Sequence, residues 1–202
     1  MSEVITFDTE SALTTGNYIQ SIDILSLVDE DDPILRRVTP DFDFNNPIVD
    51  PNKFASQLVE TCKIKGGFGL ASPQVGMSVR VFVMGAGDEY VAMFNPSILE
   101  SSKEESLVAE GCLSFPMLAL KISRPKKIKV EYYDYSGNRH ESEFDGLTAH
   151  VFQHELDHLN GICYTDRAKP MSLKMGLKKR GKINKLVSRY NLAKKVMNQV
   201  GN

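Results

Sequence analysis

The chain has 202 residues but only three cysteines and four histidines, so side chains able to bind metals or form cross-links are scarce. Cys62, Cys112 and Cys163 are unevenly spaced, which argues against a disulfide framework. No apolar run reaches 18 residues, so no membrane-spanning helix is expected. The first 20 residues have no Lys or Arg and carry Glu3, Asp8 and Glu10. They fit neither a secretory signal nor a transit peptide, and the expectation is a cytoplasmic protein without membrane contact. Repeats and low-complexity stretches are also lacking. A hydrophobic content of 42% is ordinary for a globular chain, and the length suits one domain with extensions.

Against that scarcity, Gln153-His154-Glu155-Leu156-Asp157-His158 is the most informative stretch. Histidines four apart fall on one face of a helix, so His154 and His158 can grip one ion. Glu155 leans toward the same ion and can take a proton from a water activated there. His150 extends the stripe but lies about 12 Å along the axis from His158, too far to share that ion. His140 follows Ser136-Gly137-Asn138, which reads as a hairpin turn. The third ligand is then sought among the cysteines. Cys62 shares an apolar helix face with Phe54 and Leu58 and reads as core. Cys163, just past the histidine helix, also reads as buried packing. Cys112 sits in Glu110-Gly111-Cys112-Leu113-Ser114, where glycine lets the backbone approach a ligand closely. Cys112 is assigned as the thiolate, giving two imidazoles, one thiolate and a water.

Three segments together resemble the peptide deformylases, metallohydrolases that remove the formyl group from the N-terminal methionine of new proteins. They are Gly67-Phe68-Gly69-Leu70-Ala71-Ser72-Pro73-Gln74, Glu110-Gly111-Cys112-Leu113-Ser114, and Gln153 to His158. The resemblance spans about Asp32 to Asp166. It implies that the Gln74 amide and the Leu113 backbone N–H receive the negative charge that builds on the attacked carbonyl oxygen. Glu155 would move the proton to the leaving amine. The Gly69 backbone would pair with the substrate peptide as an added strand. Phe68, Leu147 and Val151 are expected to contact substrate, with His150 at the edge of the methionine pocket. Glu110, two residues from the thiolate and of like charge, is not read as a ligand but as shaping the pocket or holding a loop. Asp157 points away from the ion, and the resemblance implies a structural carboxylate with Arg124 as its candidate partner.

The family pattern is not matched everywhere. Ala71-Ser72 stands where the family usually has Ala-Ala, and a buried serine hydroxyl needs a partner. After Phe115-Pro116, Met117-Leu118-Ala119-Leu120 replaces an arginine that reaches the peptide in some bacterial members. No preference beyond the first substrate residues is therefore carried over. A metal amidase with another acyl substrate and a silent homologue that merely binds peptide or ribosome are the alternatives. The intact Gln74, Cys112, His154, Glu155 and His158 argue against silence. By ligand type the set suits Zn²⁺, yet thiolate and imidazole also suit iron, Ni²⁺ or Co²⁺; the resemblance implies Fe²⁺ in the cell, with Zn²⁺ less active.

Three regions are expected: an acidic extension at 1–31, a catalytic domain at 32–168 and a basic helical tail at 169–202. Residues 1–168 carry all 26 acidic residues, while 169–202 carry none and hold ten of the 24 basic ones. Leu173, Leu177, Leu186, Val187 and Leu192 give the tail a patchy apolar stripe, weakened by Gly176 and Gly181. It reads either as a solvated helix packed on the domain or as a docking helix for RNA, with the ribosome as partner. In the central region, Asp50-Pro51 predicts a helix start and Gly66-Gly67 its end. Arg80–Met84 and Tyr90–Phe94 read as strands. Ile128–Tyr135 and Arg139–Phe144 read as a hairpin, and Asp145 to Leu159 as the metal helix, closed by Asn160-Gly161. The expected fold is α+β, with mixed or antiparallel sheets around a central metal-binding helix.

Overall fold

The computed structural model describes residues 23–200. The first 22 residues of the expected acidic extension lie outside the described residues. The described chain begins along the domain edge, where Val28 N–H donates to the Gln74 carbonyl at 2.9 Å.

Helix α1 (Pro51–Lys65) starts and stops where the sequence predicts. The Asp50 side chain accepts from Lys53 N–H at 2.7 Å, and Gly66 ends the helix with φ 70°. That left-handed geometry suits glycine. Strands β1 (Gly69–Ala71), β2 (Val81–Ala86), β3 (Glu89–Ser101), β6 (Lys127–Tyr133) and β7 (Arg139–Asp145) form one antiparallel sheet in the order β1-β2-β3-β6-β7. Strand β2 reads Val81-Phe82-Val83-Met84, apolar at every position, because both its faces are covered. Val81 and Val83 pack with Phe54, Leu58 and Cys62 of α1. Phe82 and Met84 pack with Phe152, Leu156 and Leu159 of helix α2 (Gly146–Leu159). The α+β expectation is met, with α2 lying between the sheet and a separate hairpin.

That hairpin pairs β4 (Glu105–Cys112) with β5 (Phe115–Pro125). The sequence reading did not identify it. Leu118, Leu120 and Ile122 do alternate with exposed residues, but the next inward position is Arg124, which breaks the apolar pattern. Strand β3 also runs longer than Tyr90–Phe94, with register shifts near Asn95 and Ile98 that interrupt its periodicity.

A short helix α3 (Tyr164–Arg167) leads into α4 (Pro170–Val200). Helix α4 continues through Gly176 and Gly181. A Cβ on Gly176 would lie 2.6 Å from Leu120 Cδ2, so this glycine lets the helix approach β5 closely. Leu173 joins the cluster of Leu118, Leu120 and Tyr164, and Arg180 pairs with Glu30. Past Ile183 the described side chains are exposed, including Leu186 and Tyr190. The tail is therefore two things: a docked first half and a projecting second half. Among the described residues, no helix is long and apolar enough to cross a membrane.

Candidate metal centre

Helix α2 turns its histidines away from the sheet, while Glu155 lies against Gly69 of β1. Ala149, Phe152, Leu156 and Leu159 face the sheet, while His150, His154 and His158 face the β4–β5 hairpin. The rings of His154 and His158 stand 5.1 Å apart, as i, i+4 spacing requires. Cys112, at the end of β4, brings its Sγ to 3.3 Å from His158 Nε2. One donor atom each from Cys112, His154 and His158 lie within 4.8 Å of one another. Ligands about 2.0–2.3 Å from a tetrahedral ion sit roughly 3.3–3.8 Å apart, so the three donors fit one ion. His154 donates Nδ1–H to Glu110 Oε2 at 2.9 Å, which leaves Nε2 as the nitrogen that an ion would take. Cys62 and Cys163 are fully buried in separate apolar clusters and take no part. Burial pushes their thiols up to about 12 and about 11, as befits inert core residues.

Glu110 is the hub behind the ligands. Arg124 grips both its oxygens, with Nε–Oε1 at 2.6 Å and Nη2–Oε2 at 2.9 Å. Arg124 also reaches Asp157 Oδ2 through Nη1 at 2.7 Å, and Arg167 caps Asp157 from the outer side. The Asp157–Arg124 pair expected from the resemblance is thus present, and it locks α2 to β5. Burial raises the Glu110 pKa, but hydrogen bonds from His150, His154 and Arg124 outweigh it and hold the carboxyl well below its usual range.

A cavity of about 360 Å³ opens in front of these groups. Gln74, Cys112, Leu113, His154 and Glu155 lie in its wall, and so do Phe68, Gly69, Glu110, Leu147, His150 and Val151. His158 sits behind, fully buried. Gln74 is held by Ala71 N–H on its Oε1 at 2.8 Å, so its amide N–H₂ faces Cys112 Sγ and Ser114 Oγ, each at 3.3 Å. Ser72, the departure from the family pattern, is buried and donates its hydroxyl to the Val79 carbonyl, which satisfies it. Sequence reasoning missed Ser114, Ser106 and Arg167 as supports. The place of Ser114 in the Glu110–Ser114 motif is a signal that could have found it, whereas Ser106 and Arg167 meet their partners only through the packing of β4 and α3 on α2.

A sequence profile of the polypeptide deformylases matches residues 24–174. The chain belongs to the polypeptide deformylase family. The peptide deformylase of Thermotoga neapolitana is 46% identical over 140 residues, covering 69% of this chain and 84% of that one. The crystal structure of peptide deformylase from Thermotoga maritima superposes with a TM-score of 0.67 at 44% identity, across 73% of this chain and 99% of that one. A Synechococcus elongatus peptide deformylase in complex with actinonin superposes with a TM-score of 0.72 at 31% identity, across 78% and 88%. This member of the family is a metallohydrolase that removes the formyl group from the N-terminal formyl-methionine of newly made proteins.

The electrostatics of this deformylase centre suit that chemistry. Burial pushes the Glu155 carboxyl up to about 7, a value matched to accepting and returning a proton near neutrality. Its Oε2 is buried without a hydrogen-bond partner. Burial alone would lower His154, yet its hydrogen bonds to Cys112 and Glu110 raise it to about 10. Burial holds His158 well below the ordinary histidine range.

Proposed function

We propose that Cys112, His154 and His158 hold one divalent ion, that Glu155 is the proton carrier, and that Gln74 and Leu113 N–H receive the developing oxyanion. An ion bound there supplies the Lewis acidity that makes water nucleophilic near neutral pH. Glu155 takes the proton of the attacking water and returns it to the amine nitrogen as the formyl C–N bond breaks. Gln74 meets the negative charge with an amide whose carbonyl end is fixed by Ala71, one N–H turning from Cys112 or Ser114 to the oxyanion. Gly69 lies in β1, the edge strand of the sheet, whose outer side can add the substrate backbone as a further strand. Leu147, His150 and Val151 of α2 flank the methionine side chain, with Phe68 and Glu110 at its borders. The observation that carries this reading is Glu155 Oε2, buried without a partner in the cavity wall that also presents the ligands.

The thiolate and imidazole donors suit a borderline to soft divalent ion, and we infer Fe²⁺ in the cell, with Zn²⁺, Ni²⁺ or Co²⁺ able to occupy the same donors in purified protein. The test is release of formate from a formyl-Met tripeptide by anaerobically purified protein, with metal quantified in the same sample. An acetyl-Met peptide serves as the comparison for a different amidase. Glu155→Gln should keep one ion per chain and lose on the order of 100-fold or more in turnover. Near-normal turnover in that variant would mean that another group moves the proton.

The substrates are proposed to be nascent chains in the cytoplasm, met at the ribosome through α4. Lys174, Lys178, Lys182, Lys185 and Arg189 are all exposed and follow at steps of four, four, three and four. At 3.6 residues per turn they share one side of the helix over about 22 Å. Leu173, Gly176, Arg180 and Ile183 occupy the opposite, packed side. A straight row of cations facing away from the domain suits a phosphate backbone. Co-sedimentation with ribosomes that weakens steeply with salt would support this, and salt-independent or absent co-sedimentation would refute it.

A further inference from the structure

His150 lies one turn before His154 on α2 and is buried, with 1% of its surface exposed. Its Nδ1 is 3.2 Å from Glu110 Oε1, and its Nε2 is 2.8 Å from Ser106 Oγ. The partners assign the tautomer. An ionised carboxylate only accepts, so Nδ1 carries the hydrogen and Nε2 accepts from the Ser106 hydroxyl. Both ring nitrogens are then engaged, and the ring offers the cavity only carbon edges.

On the reading that Cys112, His154 and His158 hold the ion, we propose that His150 is a positioning residue: anchored by Ser106, it holds Glu110, and through Glu110 it aims the ring of the metal ligand His154. Each Glu110 oxygen has two partners. Oε1 takes Arg124 Nε and His150 Nδ1; Oε2 takes Arg124 Nη2 and His154 Nδ1. Without the His150 donor, Oε1 keeps one partner while Oε2 keeps two, and the unmet lone pair turns toward the cavity, where water can reach it. The carboxylate then twists about its last bond, and the Oε2–His154 hydrogen bond that sets the tautomer and direction of the ligand lengthens. Outer partners of metal-bound histidines act in this way generally. Ser106 and Glu110 both belong to β4, so the same contacts tie the pocket-lining strand to the ligand helix.

The test uses full-length, metal-loaded protein, the rate at which its ion passes to a chelator, and kcat and KM measured separately on a formyl-Met peptide. His150→Leu keeps the bulk and loses both hydrogen bonds. It should release metal roughly ten-fold faster or more, with kcat lowered and KM within about two-fold. His150→Asn places an amide donor where Nδ1 stood and should recover most of the metal retention, and Ser106→Ala should fall between wild type and His150→Leu. A KM increase with unchanged metal release would make His150 a pocket wall only, and equal behaviour of the Leu and Asn variants would remove the Glu110 contact from the explanation; either overturns the proposal. If His150→Leu does not fold, Ser106→Ala decides: faster release supports the proposal, and release at the wild-type rate overturns it. Cys112→Ser is the control for the underlying reading. If it keeps its metal, the ligand set has failed, whatever His150 does.

Discussion

Glu155 occupies the space that a side chain on Gly69 would need. A Cβ built on Gly69 would stand 2.7 Å from the Glu155 carboxyl carbon, inside van der Waals contact. The glycine in the first motif and the glutamate in the third are therefore one structural unit. Gly69→Ala should keep the metal and push Glu155 away from its working position. The expected loss in kcat/KM is on the order of 100-fold, the lower end of what a positioned acid–base group contributes. Metal stoichiometry and peptide kinetics on the same preparation check this. Wild-type kinetics in Gly69→Ala would show that Glu155 has room to work elsewhere.

The three cysteines should separate cleanly. Cys112→Ser should sharply lower metal content, because a hydroxyl is a far weaker ligand than a thiolate for such ions. Cys62→Ser and Cys163→Ser should retain metal and instead lose about 1–3 kcal/mol of stability, from a hydroxyl placed in an apolar core. Elemental analysis with thermal denaturation of all three variants decides. Equal metal content would remove Cys112 from the ligand set.

Metal uptake should release protons. In the metal-free site, hydrogen bonds to Cys112 and Glu110 overcome burial and raise His154 to about 10, so its ring holds a proton at pH 7.5 that an incoming ion must displace. Affinity should consequently fall as pH falls, since proton and ion compete for the same nitrogen. Titration calorimetry with Zn²⁺ in buffers of different ionisation enthalpy reads the proton count directly. A buffer-independent enthalpy would contradict the protonated state of His154.

The place of truncation in α4 should decide what is lost. Ending the chain at Ala168 uncovers Leu118 and Leu120 and removes the Arg180–Glu30 pair. Each apolar side chain re-exposed costs about 1.5–3 kcal/mol at full exposure, so the melting temperature should drop by several degrees. Ending it at Ile183 leaves that packing intact and should leave melting and small-peptide turnover unchanged. If ribosome docking operates, this shorter truncation should still reduce co-sedimentation. Equal melting temperatures for the two truncations would show that the docked half of α4 adds nothing to the domain.

Much of the site was legible because its signals are local. Helical spacing alone places His154 and His158 together, and Asp50-Pro51 with Gly66 bounds α1 by capping chemistry that acts within a few residues. The hairpin at Ile128–Tyr135 and Arg139–Phe144 is legible because Ser136-Gly137-Asn138 marks its turn. The β4–β5 hairpin was not legible. Its inward positions include Glu110 and Arg124, charged residues that resemble surface residues until they are seen to satisfy each other.

The sequence by itself determined the chemistry of this protein: which atoms can bind a metal, which carboxylate can carry a proton, and which family the three motifs resemble. Those properties belong to residue types at short spacings, and the helix repeat converts spacing into geometry. Only the tertiary structure decided how the groups are held. It joined Ser106, His150, Glu110, Arg124, Asp157 and Arg167 into one network with a buried centre, set Gly69 against Glu155, and split α4 into a docked and a projecting half. These relationships link residues tens of positions apart, and a polar side chain becomes a buried partner only when packing removes its access to water.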